Sequence, residues 1–340
     1  MRIELPISKS IANRLLILQA IHGDGLMTVS CDMPDDVRIM SEAIRLLGER
    51  REARIDLGNC GTAMRFLTAY CAQLEGQTTI LDGVERMHHR PIGQLVDALR
   101  EIGADIEYLG EEGFPPLRIK GCILDKRRIV TINNPQSTQF VSALLLIGAN
   151  VQTDSTSPYI YITQEVIKQY QLSPFSFHLS VEKDWSSAAF WYEYVALYGG
   201  EITLPGLSRD SLQGDKIVAD IFAHLGIYTT YTAEGVVISS SPLHTTPYTL
   251  HHDFVACPDL YPAIALTCER LGVELHATGV ESLPLKESDR LRAVAEHRTD
   301  ADHRMAMALL IAGYEVDDTA CISKSYPNFI EHFRHINSLK

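Results

Sequence analysis

The chain has 340 residues, of which 46% are hydrophobic and 21% are charged, and its formal net charge at pH 7 is −13. That length exceeds the size at which one hydrophobic core usually suffices, so two domains are expected. The acidic balance argues against a nucleic acid as partner, because phosphate backbones are bound by lysines and arginines spread over a face.

The opening sequence, MRIELPISKS, carries no apolar stretch of the signal-peptide type. No later run approaches the roughly 20 apolar residues that a membrane span requires. These features predict a soluble, cytoplasmic protein without a membrane partner. The seven cysteines are an odd number, lie far apart and include no C-x-x-C pair. We therefore expect reduced thiols in the core rather than disulfides or a structural zinc site.

Hydrophobic periodicity predicts a series of helices that follow turns of small polar residues. The predicted helices cover residues 11–21, 37–47, 63–72, 91–102, 137–147, 163–170, 186–197 and 216–225. The predicted strands cover residues 104–109, 201–204 and 227–231. An order of helix, glycine and strand recurs in AIRLLGE, ALREIGADIEY, IFAHLGIYTTY and ALTCERLGVELHA. This recurrence predicts internal α/β repeats rather than one doubly wound sheet.

Short charged segments are scattered along this acidic chain. They are Lys9 with Ser10 and Arg14, residues 59–65, Arg86 with Arg90, residues 286–290, residues 302–304, and Lys324. Any one of them fits a solvated helix face, which is the more common meaning of such a pair. Six together favour a local cationic pocket for a small polyanion. No glycine-rich dinucleotide or Walker-type motif is present, which disfavours nucleotide binding.

Two further patterns leave alternatives open. Ser137, Thr138 and Gln139 stand where a loop becomes an apolar helix, so they could seat a phosphate at the helix N-terminus or simply cap it. Asp259 and Glu287 are the acidic candidates, because a carboxylate beside cations stays ionised and can act as a base or proton shuttle. On local evidence alone, the structural interpretations are favoured, namely a helix cap for Asp259 and an ion pair with Arg290 for Glu287.

Ten segments follow one another in the order of a known family's motifs. They are LPISKSIANR, LGNCGTAMRFLTAY, ERMHHRPIGQLVDALR, STQFVSALL, SPYIYIT, VEKDWSSAAFWY, PDLYPAIAL, LKESDRL, DHRMAMAL and SKSYPNF. Together they extend over nearly the whole chain and resemble the 5-enolpyruvylshikimate-3-phosphate synthase family. The resemblance implies an α/β fold of two similar domains, each an inside-out barrel of repeated βαβαββ units, joined by a double hinge. It places residues 6–181 in the first domain, and residues 1–5 plus 182–340 in the second.

The reaction that this resemblance implies moves the enolpyruvyl group of phosphoenolpyruvate to the 5-hydroxyl of shikimate 3-phosphate. It proceeds by addition and elimination, releases phosphate, and lies on the path to chorismate and the aromatic amino acids. The resemblance implies no metal and no organic cofactor, since positioning and charge stabilisation supply the catalysis. It further implies a monomer whose partners are the two small-molecule substrates.

The site residues also follow from the resemblance. The implied catalytic residues are Asp259, Glu287, Lys9 and Lys324. The implied contacts of shikimate 3-phosphate are Lys9, Ser10, Arg14, Ser137, Thr138, Gln139, Thr156, Asp259, Ser282 and Lys286. The implied contacts of phosphoenolpyruvate are Lys9, Gly61, Arg90, Gln139, Arg290, Arg304 and Lys324. Asp259 would accept the hydroxyl proton, Glu287 would shuttle the methyl proton, and Arg65 and His303 would support the site from behind.

The chain departs from the family pattern at several positions. Ile7 stands in place of a glycine, Thr138 in place of a serine, and Phe66 in place of a proline. The chain is also short before Ile3 and within residues 148–156 and 298–302. Two rivals remain: a related enolpyruvyl transferase that acts on UDP-N-acetylglucosamine, and a catalytically weakened anion-binding paralogue. The Ser-Thr-Gln, Lys-Glu-Ser-Asp-Arg and Asp-His-Arg-Met segments disfavour the former, and the retained carboxylates disfavour the latter.

Overall fold

The structure is a computed structural model that describes residues 1–172, 181–240 and 249–338. The chain divides into two units. The N-terminal unit consists of Lys9–Cys31 and Asp36–Val181, and the C-terminal unit consists of Met1–Ser8, Asp32–Asp35 and Glu182–Lys340. Residues 6–8 and 32–35 therefore group with the C-terminal unit, which differs from the predicted boundaries.

Helices and short strands alternate in the N-terminal unit. The helices are α1 (Lys9–His22), α2 (Asp35–Glu49), α3 (Gly61–Ala72), α4 (Gly93–Glu101), α5 (Thr138–Leu146) and α6 (Pro158–Leu172). The strands are β1 (Glu52–Asp56), β2 (Thr78–Asp82), β3 (Asp105–Tyr108), β4 (Leu117–Lys120), β5 (Ile129–Thr131) and β6 (Asn150–Gln152). One sheet has the order β1-β2-β4-β3, with β1 parallel to β2 and β4 antiparallel to both of its neighbours. Strands β5 and β6 form a separate parallel pair.

The core of the N-terminal unit is built from helices that are buried on all sides. Every residue of α3 except Thr62 is buried, and α1 is buried from Ile11 to Gln19. Helix α3 packs against α1 and α5, and α6 packs against α1 and α5. A helix that is apolar around its whole circumference is stable only inside a protein, which explains why these helices lie at the centre of the unit.

The C-terminal unit repeats this organisation. Its helices are α7 (Trp185–Tyr198), α8 (Val218–His224), α9 (Tyr261–Leu271), α10 (Arg290–Glu296), α11 (His303–Ala312) and α12 (Phe329–Ser338). Its strands are β7 (Glu201–Pro205), β8 (Ile227–Tyr231), β9 (Gly235–Ser240), β10 (Thr249–Asp253) and β11 (Glu274–Thr278). Strands β7, β9 and β8 form an antiparallel sheet in that order, and β10 pairs in parallel with β11. The buried helices α7, α9 and α11 pack against one another.

The predicted order of helix, glycine and strand is confirmed at three of its four positions. Gly103, Gly226 and Gly272 follow α4, α8 and α9 and precede strands, each with a positive φ that favours glycine. The fourth segment, AIRLLGE, was predicted to end its helix at Gly48. That prediction is wrong, because Gly48 lies inside α2. No closed barrel is formed by the strands of the described residues.

Three predicted helix bounds need correction. Helix α4 begins at Gly93 rather than at residue 91. Helix α6 begins at Pro158, five residues before the predicted start, because proline is favourable in a first helical turn. The predicted helix 216–225 consists of a 3₁₀ turn, Gly214–Ile217, followed by α8.

Across the described ranges, no helix is both long and apolar enough to cross a membrane. All seven cysteines are free, and Cys60, Cys71, Cys257 and Cys268 are buried as predicted, whereas Cys31 is exposed.

Glu193 is fully buried in α7, and neither of its carboxylate oxygens has a hydrogen-bond partner among the described residues. Burial raises the pKa of this carboxyl well above its ordinary value. The folded chain therefore holds Glu193 protonated, while the unfolded chain loses that proton above a pKa of about 4.3. Folding takes up a proton, so this residue lowers stability progressively as the pH rises above that value, until its folded pKa is reached.

We expect Glu193→Gln to raise the melting temperature by a margin that grows as the pH is increased from about 5 to about 8. The gain approaches about 1.4 kcal/mol for each pH unit within the window between the unfolded and folded pKa values. Thermal unfolding at several pH values measures this margin, with Glu201→Gln, an exposed substitution in β7, as the control. A margin that does not change with pH would contradict the assignment of a neutral Glu193.

Candidate active site

Lys9 begins α1, and its ammonium lies 2.9 Å from the carboxylate of Asp36 at the start of α2. Both side chains are largely buried, and Asp36 Oδ1 has no hydrogen-bond partner among the described residues. The sequence analysis did not select Asp36. The available signal was the doublet of Asp35 and Asp36 before an amphipathic helix, where carboxylates favour the helix N-terminus.

Arg14 is buried, and its guanidinium holds three helices together. It donates to Ser10 O at 2.6 Å, Thr163 Oγ1 at 2.7 Å, Tyr159 O at 3.0 Å and Ser142 Oγ at 3.2 Å. Burial lowers the pKa of Arg14 to about 10. Most N–H groups of Arg14 donate to residues inside the N-terminal unit. These contacts indicate that Arg14 fixes the position of Ser10 through its backbone carbonyl.

Phe66 packs beneath the same arginine. Its ring is buried in α3, and the guanidinium carbon of Arg14 lies 5.3 Å from the ring centroid. A guanidinium at this distance from an aromatic face gains a cation–π interaction. The departure at residue 66 therefore contributes to holding Arg14.

Gly61, the first residue of α3, lies directly against Arg90. A Cβ added to Gly61 would lie 2.4 Å from Arg90 Nη2, so the guanidinium occupies the space that a side chain would need. Arg90 Nη1 donates to the carbonyl and side-chain oxygens of Asn59 at 3.2 and 3.3 Å. Arg65, from one turn further along α3, donates to Gly61 O and Pro91 O. The predicted supporting role of Arg65 is consistent with these two contacts.

From the phosphoenolpyruvate contact that the resemblance implies for Arg90, we expect Gly61→Ala to raise KM for phosphoenolpyruvate about 10- to 100-fold with a smaller effect on kcat. The new methyl group must displace Arg90, and a displacement of about 1 Å at a binding group can cost this much. Steady-state kinetics with varied phosphoenolpyruvate measures the effect. Gly48→Ala in α2 is the matched control, because an added Cβ there meets nothing within 4 Å. Unchanged kinetics in Gly61→Ala would contradict the role of Arg90.

Ser137 caps α5, because its Oγ accepts from Gln139 N at 3.3 Å. The side chain of Gln139 donates to Thr62 Oγ1 at 2.9 Å and so links the starts of α5 and α3. The helix-cap interpretation is thus confirmed, while a phosphate seat at this helix start stays a prediction. Thr156 precedes α6 and lines a different feature, a polar cavity of about 680 Å³ that also includes Asn133 and Asp154.

In the C-terminal unit, three cations surround Asp259, which lies between β10 and α9. Its carboxylate is 2.8 Å from Arg290 Nη1, 2.9 Å from Arg304 Nη2 and 3.7 Å from Lys286 Nζ. The arginines stand in the first turns of α10 and α11 and are almost fully buried. Desolvation lowers the pKa of Lys286, and the nearby Asp259 opposes that shift.

Arg290 connects Asp259 to two further carboxylates. Its guanidinium lies 3.2 Å from Glu287 and 2.8 Å from Asp302, and Glu287 also pairs with Lys324 at 2.9 Å. Burial alone would lower the pKa of Arg290, but the three carboxylates outweigh burial and raise it. The predicted ion pair of Glu287 with Arg290 is confirmed, and the same carboxylate also reaches Lys324.

Asp302 was given no role by the sequence analysis, which selected Arg304 and His303 from this segment. Asp302 caps α11 by accepting from Arg304 N at 2.9 Å, and its other oxygen accepts from Arg290 Nε and Ser288 Oγ. An aspartate directly before a helical pattern was the signal. His303 Nδ1 lies 3.8 Å from the Asp302 carboxylate, in keeping with a supporting role.

Glu287, Asp302 and His303 bring three potential metal ligands within 4.8 Å of one another. Both carboxylates already pair with buried or partly buried cations, Glu287 with Arg290 and Lys324 and Asp302 with Arg290. We therefore interpret Glu287, Asp302 and His303 as part of an ion-pair network rather than as a metal site. Ser282, the remaining predicted residue, precedes a 3₁₀ turn at Leu283–Leu285 that leads to Lys286.

Asp215 is a third acidic residue, after Asp36 and Asp302, that the sequence analysis did not select. It is buried in the 3₁₀ turn before α8, and its carboxylate accepts a hydrogen bond from Ser186 Oγ. Burial, together with the negative charge of Asp259, raises the pKa of Asp215 to about 7. The sequence gave little warning, since a single aspartate in a polar turn is common.

The connection between α10 and α11 is short and tightly bent. His297, Asp300 and Ala301 all have positive φ values, which non-glycine residues rarely adopt. This turn covers residues 298–302, where the chain is short relative to the family pattern. Asp302, at the end of this turn, accepts a hydrogen bond from Arg290 Nε at 2.8 Å.

These observations define a mixed α/β protein with clustered cations and paired carboxylates, as an enzyme acting on small anions requires. The model of the EPSP synthase family (3-phosphoshikimate 1-carboxyvinyltransferase) matches residues 49–172, 147–298 and 294–333. The 3-phosphoshikimate 1-carboxyvinyltransferase of Bacteroides fragilis is 38% identical over 394 residues, covering 98% of this chain and 94% of the relative. The corresponding protein of Cellvibrio japonicus is 31% identical, covering 99% and 96%. The chain belongs to the EPSP synthase family.

A solved EPSP synthase from Acinetobacter baumannii has a TM-score of 0.71 to this chain and covers 98% of it and 95% of its own length. Its sequence identity is 19%, so it shows the fold alone. The alignment with the Bacteroides fragilis protein is longer than the 340 residues of this chain, so that relative carries stretches which this chain lacks.

Proposed function

We propose that this chain transfers the enolpyruvyl group of phosphoenolpyruvate to the 5-hydroxyl of shikimate 3-phosphate and releases phosphate. Its membership of the EPSP synthase family, the enzymes of this step of the shikimate pathway, supports the proposal. The observation that carries it at the level of side chains is the cluster around Asp259. There, Arg290, Arg304 and Lys286 face one carboxylate while Glu287 contacts Arg290 and Lys324.

The proposed chemistry has two steps. In the addition, a proton from the Lys324 or Lys9 side, shuttled by Glu287, joins the methylene carbon of phosphoenolpyruvate. The hydroxyl oxygen then bonds to the adjacent carbon while its proton passes to Asp259. In the elimination, the methyl group loses a proton, the double bond re-forms, and the C–O bond to phosphate breaks. The cations stabilise the charge on the substrate oxyanions, so the proposal requires no metal or cofactor.

The proposed substrate contacts retain the assignments made from the sequence. For shikimate 3-phosphate they are Lys9, Ser10, Ser137, Thr138, Gln139, Thr156, Asp259, Ser282 and Lys286. For phosphoenolpyruvate they are Lys9, Gly61, Arg90, Gln139, Arg290, Arg304 and Lys324. Arg14 enters the proposal as a residue that positions Ser10, because its guanidinium is engaged within the unit. Arginine suits the planar oxyanions of both substrates through bidentate pairing.

The finer architecture belongs to the same proposal. The two enolpyruvyl-transferase domains would be residues 6–181 and residues 1–5 plus 182–340, each an inside-out barrel, joined by a double hinge. The protein would act as a monomer. The burial of α1, α3 and α5 in one unit and of α7, α9 and α11 in the other supports helices on the inside.

Phosphate release by the purified chain tests the proposal. We expect release that requires both phosphoenolpyruvate and shikimate 3-phosphate, with no release when either is omitted. Replacing shikimate 3-phosphate by UDP-N-acetylglucosamine tests the related transferase, and release with that acceptor alone would overturn the proposal. Binding of shikimate 3-phosphate without any release would instead support the weakened anion-binding paralogue.

A further inference from the structure

Asp259 contacts Arg290 and Arg304, two of the cations that the proposed function assigns to phosphoenolpyruvate. Its two carboxylate oxygens accept hydrogen bonds from the two arginines, Oδ1 from Arg290 Nη1 at 2.8 Å and Oδ2 from Arg304 Nη2 at 2.9 Å. A phosphate or carboxylate group bound by these arginines would need the same donors. The carboxylate of Asp259 therefore stands where an oxyanion would make its contacts.

Arg304 has further capacity for an anion. Its side chain is 2% exposed, and its Nη1 has no hydrogen-bond partner among the described residues. A buried guanidinium nitrogen without a partner is costly, so a ligand oxygen that satisfied it would gain binding energy. Arg290 differs, because Asp302 and Glu287 hold it on its other sides and keep it in place when Asp259 leaves.

We propose that Asp259 is the resident counter-anion of Arg290 and Arg304, and that an incoming tetrahedral or planar oxyanion displaces it. This inference rests on the proposed function and deepens it. Binding of the anion and release of the base become one event, because the displaced carboxylate loses two charge-assisted hydrogen bonds and becomes more basic. Arg290 and Arg304 thus hold the base, Asp259, until phosphoenolpyruvate binds and releases it.

The surroundings of Asp259 include several other charged groups. On the elements packed around it are Lys286, Arg290 and Arg304, the buried Asp215, the Glu287 and Asp302 carboxylates that pair with Arg290, and Asp184, which lies near Arg304. Burial and the nearby charge of Asp259 raise the pKa of Asp215 to about 7. Sulfate affinities are therefore compared between variants at one pH above that value, so that Asp215 is deprotonated in every variant.

Sulfate affinity tests the displacement, since sulfate is an oxyanion that does not titrate near neutral pH. We expect Asp259→Asn to bind sulfate about 10- to 100-fold more tightly than the unchanged chain, because a neutral amide competes weakly for the two arginines. Asp210→Asn, an exposed substitution of equal charge in the same unit, is the matched control and should leave the affinity unchanged. Calorimetric titration at constant ionic strength gives both values. Equal or weaker binding by Asp259→Asn overturns the inference.

If Asp259→Asn fails to fold, a crystal structure of the wild-type chain at saturating sulfate tests the inference instead. Sulfate on Arg290 and Arg304, with Asp259 beyond hydrogen-bond distance of both, is the expected result. Sulfate bound while Asp259 keeps both hydrogen bonds, or no sulfate at these arginines, overturns it. Neither measurement needs turnover, so a chain that releases no phosphate would defeat the proposed function without deciding this inference.

Discussion

Asp259→Asn is expected to lower kcat by about 10²- to 10⁴-fold while leaving KM for phosphoenolpyruvate unchanged or lower. A positioned general base contributes an effect of this size, and the amide cannot accept the hydroxyl proton. The change is nearly isosteric, so Arg290 and Arg304 keep a neutral partner where the carboxylate now lies 2.8 and 2.9 Å away. Substrate contacts should therefore survive the loss of the base.

Initial rates of phosphate release, with each substrate varied in turn, give kcat and KM separately. Asp210→Asn serves as the control for the charge change and should match the unchanged chain. A fall in kcat of less than about tenfold would remove Asp259 from the role of base. A large rise in KM with little change in kcat would mean that the carboxylate serves binding alone.

Arg290→Met is expected to lower the free energy of unfolding by about 3 to 5 kcal/mol, the range found when one partner of a buried ion pair is removed. The guanidinium is 1% exposed and contacts Asp259, Glu287 and Asp302, of which Asp302 is fully buried. Without it, Asp302 loses a buried cation and keeps the hydrogen bonds from the hydroxyl of Ser288 and from the backbone amide of Arg304. The remaining negative charges would lie together in a site with little water.

Denaturant unfolding of both proteins at about pH 7 gives this difference. Arg292→Met lies two residues further along the same helix and provides the matched control. Arg292 is 64% exposed and pairs with Glu296 four residues on, so its loss should change the free energy of unfolding far less than the loss of Arg290. A deficit similar to that of Arg292→Met would show that the network adds little stability.

Local patterns in the sequence predicted much of the fold. Gly103, Gly226 and Gly272 end helices where the spacing placed them, because a left-handed residue after a helix favours glycine regardless of the remainder of the chain. Gly48 has the same local pattern but stays inside α2. Spacing alone could not separate the two cases, since glycine in a helix costs only about 1 kcal/mol and tertiary packing can outweigh that.

The candidate site was predicted less completely, because its partners are distant in sequence. Glu287 and Arg290 are three residues apart on one helical turn, and their ion pair was visible in the sequence. Lys9 and Asp36 are 27 residues apart, and Arg14 and Thr163 are 149 apart. No periodicity joins such positions. The resemblance selected Arg14 as a contact of shikimate 3-phosphate, and only the packing of α1 on α5 and α6 revealed which groups its guanidinium contacts.

The pairing of residues 1–8 with the C-terminal unit has a consequence for biosynthesis. Ile3 N donates to Thr203 O at 2.9 Å, and Ser8 N donates to Glu182 O at 2.7 Å. The ribosome makes these partners roughly 200 residues after the segment that needs them, which takes about 10 to 40 seconds at ordinary translation rates. Throughout that interval Ile3 and Leu5, both buried in the finished protein, remain without their packing partners. Residues 1–8 are thus translated well before the partners that complete their packing, so this segment folds late relative to its place in the chain.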